Sequence, residues 1–234
     1  MQTLKNDSDE YPKIHTLFKR DNETHEIIEK DLSLDEFGMM KVWHVTEKVD
    51  GMNVRVFWDP IRERVTFKGH KSGSIIVKKL QEYLTKTFTP EIMKNKFGMD
   101  QAVLYGEGYG PGIQKGGVYR DDISFVLFDA KIAGFWLIYD KVKVLAEQLG
   151  IRVVPEIGLL NVLEIVDYVK SKPKSILAKE IYEDIGKDPE TRQVMEGVVC
   201  RSVPLVLFRT TQTPVMFKLK VKDYEVKKKE PKKE

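Results

Sequence analysis

The chain has 234 residues, 41% of them hydrophobic, a formal net charge of +3 and one cysteine, Cys200. That hydrophobic share supports a sizeable core and argues against wholesale disorder. No apolar run approaches the roughly 20 residues that span a bilayer, the polar, acidic start is unlike a signal peptide, and one cysteine excludes an intrachain disulfide, so a soluble, cytoplasmic (intracellular) protein is expected.

In chain order, residues 1–10 are expected to be loose. Tyr11-Pro12-Lys13-Ile14 and Leu17-Phe18-Lys19-Arg20 read as a strand or turn packed on the body, or as a cover for a nucleotide base. Residues 32–40 offer a short helix or turn ending at Gly38. Trp43 to Gly69 reads as three strands, with Asp50-Gly51 making the first, hairpin-type turn and Asp59-Pro60 the second. Ser74 to Thr87 has helical spacing, with Ile75, Ile76, Leu80 and Leu84 on one face. Glu91 to Phe97 is a shorter helix closed by Gly98.

Ala102 to Tyr109 is a strand running into a glycine-rich loop, Gly110 to Gly117. Ile123 to Ala130 is the next strand, with Phe135 to Tyr139 as its hairpin partner. A helix from Asp140 to Leu149 precedes a strand, Ile151 to Val154, stopped by Pro155. Asn161 to Lys170 and Pro173 to Ile181 read as helices; Val194 to Arg201, Leu205 to Phe208 and Val215 to Val221 read as strands. The last fourteen residues hold six lysines against four acids, which leaves the body near neutral. Any nucleic-acid partner must then be met by a local basic strip. Many strands without strict βαβ alternation predict an α+β fold with mainly antiparallel sheets and flanking helices.

Several residues carry chemical potential. Lys48 lies beside the Asp50-Gly51 turn, where it has little freedom to wander. A free lysine amine has a pKa of about 10.4, so a nucleophilic lysine must be desolvated or set near other positive charge. Lys218 and Lys220 can supply that charge: two residues apart on a strand, they share one face while Phe217 and Leu219 take the other. Glu196 is a carboxylate in an otherwise apolar stretch, Met195 to Val199, and so needs a cation or hydrogen-bond donors. Arg201, in parity with Val199, can reach a phosphate or an acid.

Lys48-x-Asp50-Gly51 taken alone is also what a surface turn looks like. Followed by Gly106-Glu107-Gly108, Phe128-Asp129, Glu196-Gly197-Val198-Val199 and Lys218-x-Lys220, it resembles the ordered motifs of the covalent nucleotidyltransferases. The Glu47-Lys48-x-Asp50-Gly51-x-Asn53 core and the Gly112-Ile113-Gln114-Lys115-Gly116 loop are similar to compact ATP-dependent RNA ligases of the second type, over roughly residues 11–224. The resemblance implies a nucleotidyltransferase (ATP-grasp-like ligase) domain at 11–224, with a basic, disordered tail at 225–234. It implies that Lys48 takes AMP from ATP, passes it to a 5′-phosphate RNA end, and that a 3′-hydroxyl end then displaces it. Lys218 and Lys220 would contact the α-phosphate, Glu107 the ribose and Phe128 the base. Glu47, Asn53, Arg201 and Lys68 would also face the nucleotide, and Glu196 with Asp50 would hold Mg²⁺ or Mn²⁺. Lys68, Lys71, Lys115, Arg120 and Arg201 are candidates for the polynucleotide backbone, RNA or DNA.

Two departures stand out. Relatives carry an arginine in the turn after the third strand, where this chain has Lys68, His70 and Lys71. Nothing like an oligonucleotide-binding barrel or a sizeable helical domain follows Lys220, so the chain reads either as a minimal ligase or as a catalytic domain of a longer one. The alternatives are a DNA ligase or guanylyltransferase on the same scaffold, and a non-catalytic nucleic-acid-binding module.

Overall fold

The computed structural model describes residues 9–70, 73–188 and 193–225. In chain order its elements are β1 (His15–Thr16), β2 (Phe18–Arg20), β3 (Ile27–Leu32), α1 (Glu36–Met39), β4 (Trp43–Lys48), β5 (Met52–Asp59), β6 (Arg64–Gly69), α2 (Lys78–Thr87), α3 (Pro90–Phe97) and β7 (Ala102–Tyr109). There follow β8 (Ser124–Ile132), β9 (Phe135–Trp136), α4 (Tyr139–Gln148), β10 (Arg152–Val153), β11 (Glu156–Leu160), α5 (Val162–Lys170), α6 (Ile176–Asp184), β12 (Gly197–Ser202) and β13 (Met216–Lys220). One sheet has the order β1-β13-β12-β4-β11, and the other β10-β8-β7-β5-β6 with β9 on β8. The pairs β1–β13 and β10–β8 are parallel; the other pairings within these sheets are antiparallel. The predicted α+β, mainly antiparallel architecture is what forms.

Strand alternation sets the layers. Val54, Val56 and Trp58 of β5 are buried with Leu80, Leu84, Met93 and Leu145 of the helices that cover the second sheet. Trp43, Val45, Val198, Phe217 and Leu219 of the first sheet are buried with Ile165 and Val169 of α5. Each sheet thus spends one face on its own core. The opposite faces carry the polar residues of interest: Lys48, Arg201 and Lys218 on the first sheet, Asn53 and Glu107 on the second.

The expected hairpin at Asp50-Gly51 does not form. β4 belongs to the first sheet and β5 to the second, so Val49–Gly51 is a crossover between sheets. A tight turn between two apolar strands has the same sequence signature in both arrangements. What distinguishes the crossover is its packing: a Cβ on Gly51 would collide with the Gly108 carbonyl oxygen of β7. Pro155 marks a second crossover, from β10 to β11, and its carbonyl accepts from the Glu47 amide at 3.0 Å. The sequence reading missed β11 and β3.

Other boundaries shift for local reasons. Helix α2 begins at Lys78, after an extended Val77, so Ile75 lies outside the helix and is 87% exposed. Gly38 lies inside α1 rather than at its end. Tyr139 opens α4 instead of closing a hairpin. Leu205 to Phe208 is no strand; it is tied back by loop bonds such as Val215 N to Val206 O at 2.8 Å. Asp9, expected to be loose, has its carbonyl bonded by the Tyr105 hydroxyl at 3.3 Å. Residues 1–8, Lys71 and 226–234 lie outside the described residues.

The crossover packing yields a prediction. Gly51→Ala must push β7 and the Lys48 turn apart, and overpacking of this kind costs about 1–3 kcal/mol. Urea denaturation should show that loss, and an unchanged midpoint would mean the crossover is looser than its packing indicates.

Candidate active site

Register brings the lysines together. On the central strand β12, Gly197 pairs with Lys48 of β4 on one side and Lys220 of β13 on the other. Glu196, one residue earlier, therefore sits between them. Its Oε2 accepts from Lys48 Nζ and its Oε1 from Lys220 Nζ, each at 2.5 Å. Burial acts to raise the Glu196 carboxyl, but Lys48 and Lys220 outweigh it and hold the group below the usual carboxylate range. Gly197 has φ +155°, and a Cβ there would strike the Leu219 carbonyl oxygen, so β12 and β13 approach as closely as they do only because residue 197 is glycine.

Lys218 follows the predicted parity: Phe217 and Leu219 are fully buried, while Lys218 faces a cavity of about 240 Å³ between the two sheets. Burial pushes the Lys218 ammonium down, and the charges of Lys220 and Lys48 add to that. The cavity is also lined by Lys48, Asn53, Glu107, Phe128 and Arg201, and closed at one end by Tyr11–Ile14. Asn53 leaves its Oδ1 buried without a hydrogen-bond partner among the described residues. Glu107 is paired in register with Asn53. Burial pushes its carboxyl up to about 8, against the pull of Lys48 and the Gly51 amide, and Glu196 and Asp50 push in the same direction as burial.

At the Tyr11 end of the cavity lies a cluster that the sequence reading did not assemble. Arg201 Nη2 meets Asp129 Oδ2 at 2.9 Å and donates to the Tyr11 hydroxyl and the Phe128 carbonyl, both at 3.1 Å. The Tyr11 hydroxyl donates to Asp129 Oδ2 at 3.1 Å, and its ring stands edge-on to Phe128 at 4.9 Å. The available signal was Asp129 itself, an acid on an apolar strand that needed a cation; of the two partners allowed for Arg201, the acid is the one it has. Tyr11 had no such signal, because 118 residues separate it from Asp129.

Some expected site residues engage their side chains elsewhere, although Glu47 is among the residues lining the cavity. Glu47, on the opposite strand face to Lys48, spends its carboxylate on the start of α6: Ser175 Oγ donates to it at 2.5 Å and the Leu177 amide at 2.9 Å. Burial raises that carboxyl, with both bonds opposing. Lys68 lies over the Phe57 ring at 5.2 Å, and it is His70 that lines the cavity wall. Asp50 and Lys115 line an adjoining groove that also contains Glu196 and Lys220. Arg120 is held by Asp122 Oδ2 at 2.9 Å. Among the described residues, no group of three or more His, Cys, Asp and Glu is placed to hold a metal. Glu196 and Asp50 on one groove still suit a cation such as Mg²⁺, which takes one or two carboxylates and completes its shell with water and substrate phosphate.

The profile of the RNA ligase family matches residues 41–220, well over half of the chain. No curated protein matches it. Among solved structures, a substituted Naegleria gruberi RNA ligase with ATP and Mn gives a TM-score of 0.59 at 16% identity, covering 91% of this chain and 62% of its own. The Naegleria gruberi ligase with PPi gives 0.58 at 16% identity, with the same 91% and 62% coverage. An archaeal ATP-dependent RNA ligase gives 0.52 at 16% identity, covering 89% and 47%. This chain thus spans less than two thirds of each of these structures, and the likeness establishes a shared fold.

Glu107 supplies a prediction. Its folded pKa is raised, so the unfolded chain releases the proton first as pH rises. Stability is therefore lost between about pH 4.5 and the folded value of about 8, and levels off above it. Glu107→Gln removes the titration. Wild type should lose stability relative to that variant across this range in urea melts; parallel pH curves would refute the assignment.

Proposed function

Since this chain belongs to the RNA ligase family, we propose that it is an ATP-dependent RNA ligase working in the cytoplasm through a lysyl-AMP intermediate. The observation that carries the reading is Lys48 fixed at the sheet crossover, ion-paired to Glu196 with Lys220, and facing a cavity shared with Lys218, Asn53, Glu107 and Phe128.

The chemistry runs in three displacements. The Lys48 amine attacks the α-phosphorus of ATP; an N–P bond forms, the P–O bond to pyrophosphate breaks, and pyrophosphate leaves. Lys218, facing the cavity, neutralises charge gathering on the α-phosphate oxygens. An oxygen of an RNA 5′-phosphate then attacks the same phosphorus, and the electron pair of the N–P bond returns to Lys48. Finally a 3′-hydroxyl attacks the 5′-phosphorus, a phosphodiester forms, and AMP departs with the bridging oxygen.

Phe128 offers a ring to the adenine, and the Arg201–Asp129–Tyr11 cluster keeps that ring in place. Asn53 Oδ1 and the protonated Glu107 carboxyl offer an acceptor and a donor for ribose or phosphate groups. A divalent cation, Mg²⁺ or Mn²⁺, would be held by Glu196 and Asp50, and would supply Lewis-acid stabilisation of phosphate oxygens.

Intact mass of the purified chain after incubation with ATP and Mg²⁺ tests the reading. A gain of one AMP is expected on wild type and none on Lys48→Ala. No gain in protein first stripped with pyrophosphate, with Mn²⁺ also tried, would overturn it. Loss of base stacking costs about 1–3 kcal/mol, so Phe128→Ala should need correspondingly more ATP for half-maximal adenylylation while reaching the same final mass.

A further inference from the structure

Lys48, Lys220 and Arg201 are each ion-paired to an acid, but other basic side chains in and around the cavity are not. Lys13, His15 and Arg209 are exposed, and their side chains make no ion pair or hydrogen bond among the described residues. They gather at one place. Pro12 and Lys13 form a ridge with the nucleotide cavity and Lys218 on one side. On the other side is a groove of about 490 Å³, whose lining includes His15, Thr210, Thr211 and Thr213. Arg209 lies between Phe208 and Thr210, which are both lining residues. β1 runs along β13 with Thr16 opposite Lys218, so the groove follows the strand that carries the cavity lysine.

The groove is built rather than incidental. Its outer wall is a loop closed by its own bonds: Phe208 N to Thr213 O and Gln212 N to Phe208 O at 2.8 Å, and the Thr211 and Thr213 hydroxyls at 2.7 Å. Its lining carries fewer acids than the neighbouring depressions. The groove behind Lys48 sets Lys115, Lys220 and Lys222 against Asp50, Glu196 and Glu225. The pocket beside His44 carries Asp140 and Glu156. Here Glu36 is the one carboxylate among the described lining residues. Lys13 on the ridge, Arg209 in the loop and threonine hydroxyls around an aromatic ring match the needs of a single-stranded polynucleotide: phosphates take charge and hydroxyl bonds, and bases take aromatic surface.

We infer that this groove is the track for the RNA strand whose 5′-phosphate end reacts, with Lys13 the cation at which it enters the nucleotide cavity. The inference rests on the ligase reading for the identity of the strand. The strand lies along β1 and the 208–214 loop and meets the cavity at Lys218, where the phosphorus of a bound adenylate would sit.

The test uses the full chain and a short fluorescent RNA with a 5′-phosphate, its binding followed by anisotropy over a salt series. Lysyl-AMP formation is followed by intact mass in parallel. Arg209→Glu and Thr211→Glu should each weaken RNA binding roughly tenfold, and Arg209→Glu should also flatten the salt dependence. Both should adenylylate as wild type does. Lys222→Glu, in the other groove, should keep RNA affinity within about twofold. Wild-type RNA affinity in both groove variants overturns the inference, as does a larger loss in Lys222→Glu, or no RNA binding by wild type. Anisotropy needs no adenylylation. A wild type that gains no AMP while its groove variants lose RNA therefore fails the ligase reading alone. A wild type that gains AMP while those variants bind RNA normally fails the groove alone.

Discussion

The Glu196 carboxylate, held between Lys48 and Lys220, is the constraint on which the site depends. Three adjacent strands end here, and two of them bring an ammonium to the same spot. Without an anion between them, two half-buried cations would repel and the strand ends would splay. With one, the pair of ion bonds fixes both lysines in register. A buried ion pair is a poor source of net stability, because desolvation offsets most of its attraction. Its contribution here is positional: Lys48 points into the cavity because its strand cannot slide past Gly197.

That local arrangement requires the global one. Lys48 belongs to the first sheet, while Asn53 and Glu107, five residues later and across a strand pairing, belong to the second. A hairpin would have kept all of them in one sheet, with no cleft to enclose a ligand. The crossover at Val49–Gly51 turns consecutive residues into opposite walls. Pro155 repeats the device, and Glu47 joins it to α6. Its amide bonds the Pro155 carbonyl while its carboxylate caps the helix, so the face of β4 turned away from the cavity anchors the strand.

Strand parity is what made much of the site legible in sequence. Lys218 and Lys220 were placed on one face, and Phe217 and Leu219 on the other, from spacing alone. The lone acid at Glu196 announced its need for cations. Parity also contained the information that separates Glu47 from Lys48, although adjacency in the motif pulled the two together. What sequence could not carry was contact between distant segments. The hairpin and the crossover differ only in which sheet accepts β5, and that is decided by Gly108 and the helices behind it. The Tyr11–Asp129–Arg201 cluster joins three stretches that no local pattern relates. The short strand β11 vanishes into the turn signal of Pro155, because five residues are too few to show a period of two.

The two ends of the cavity do opposite electrostatic work. At the Lys48 end, charges are compensated but not sealed: Lys48, Glu196 and Lys220 each keep about a fifth of their side-chain surface accessible, so partners there can be exchanged for a phosphate or a metal. At the Tyr11 end, Asp129 is 1% exposed and its bonds to Arg201 and Tyr11 are internal, so that end is fixed. For the proposed reaction, a rigid wall behind the ring of Phe128 and an exchangeable ion network around Lys48 are what successive displacements at one phosphorus would require. The base would stay where it is while the groups bonded to the phosphorus change from pyrophosphate to lysine to a polynucleotide end.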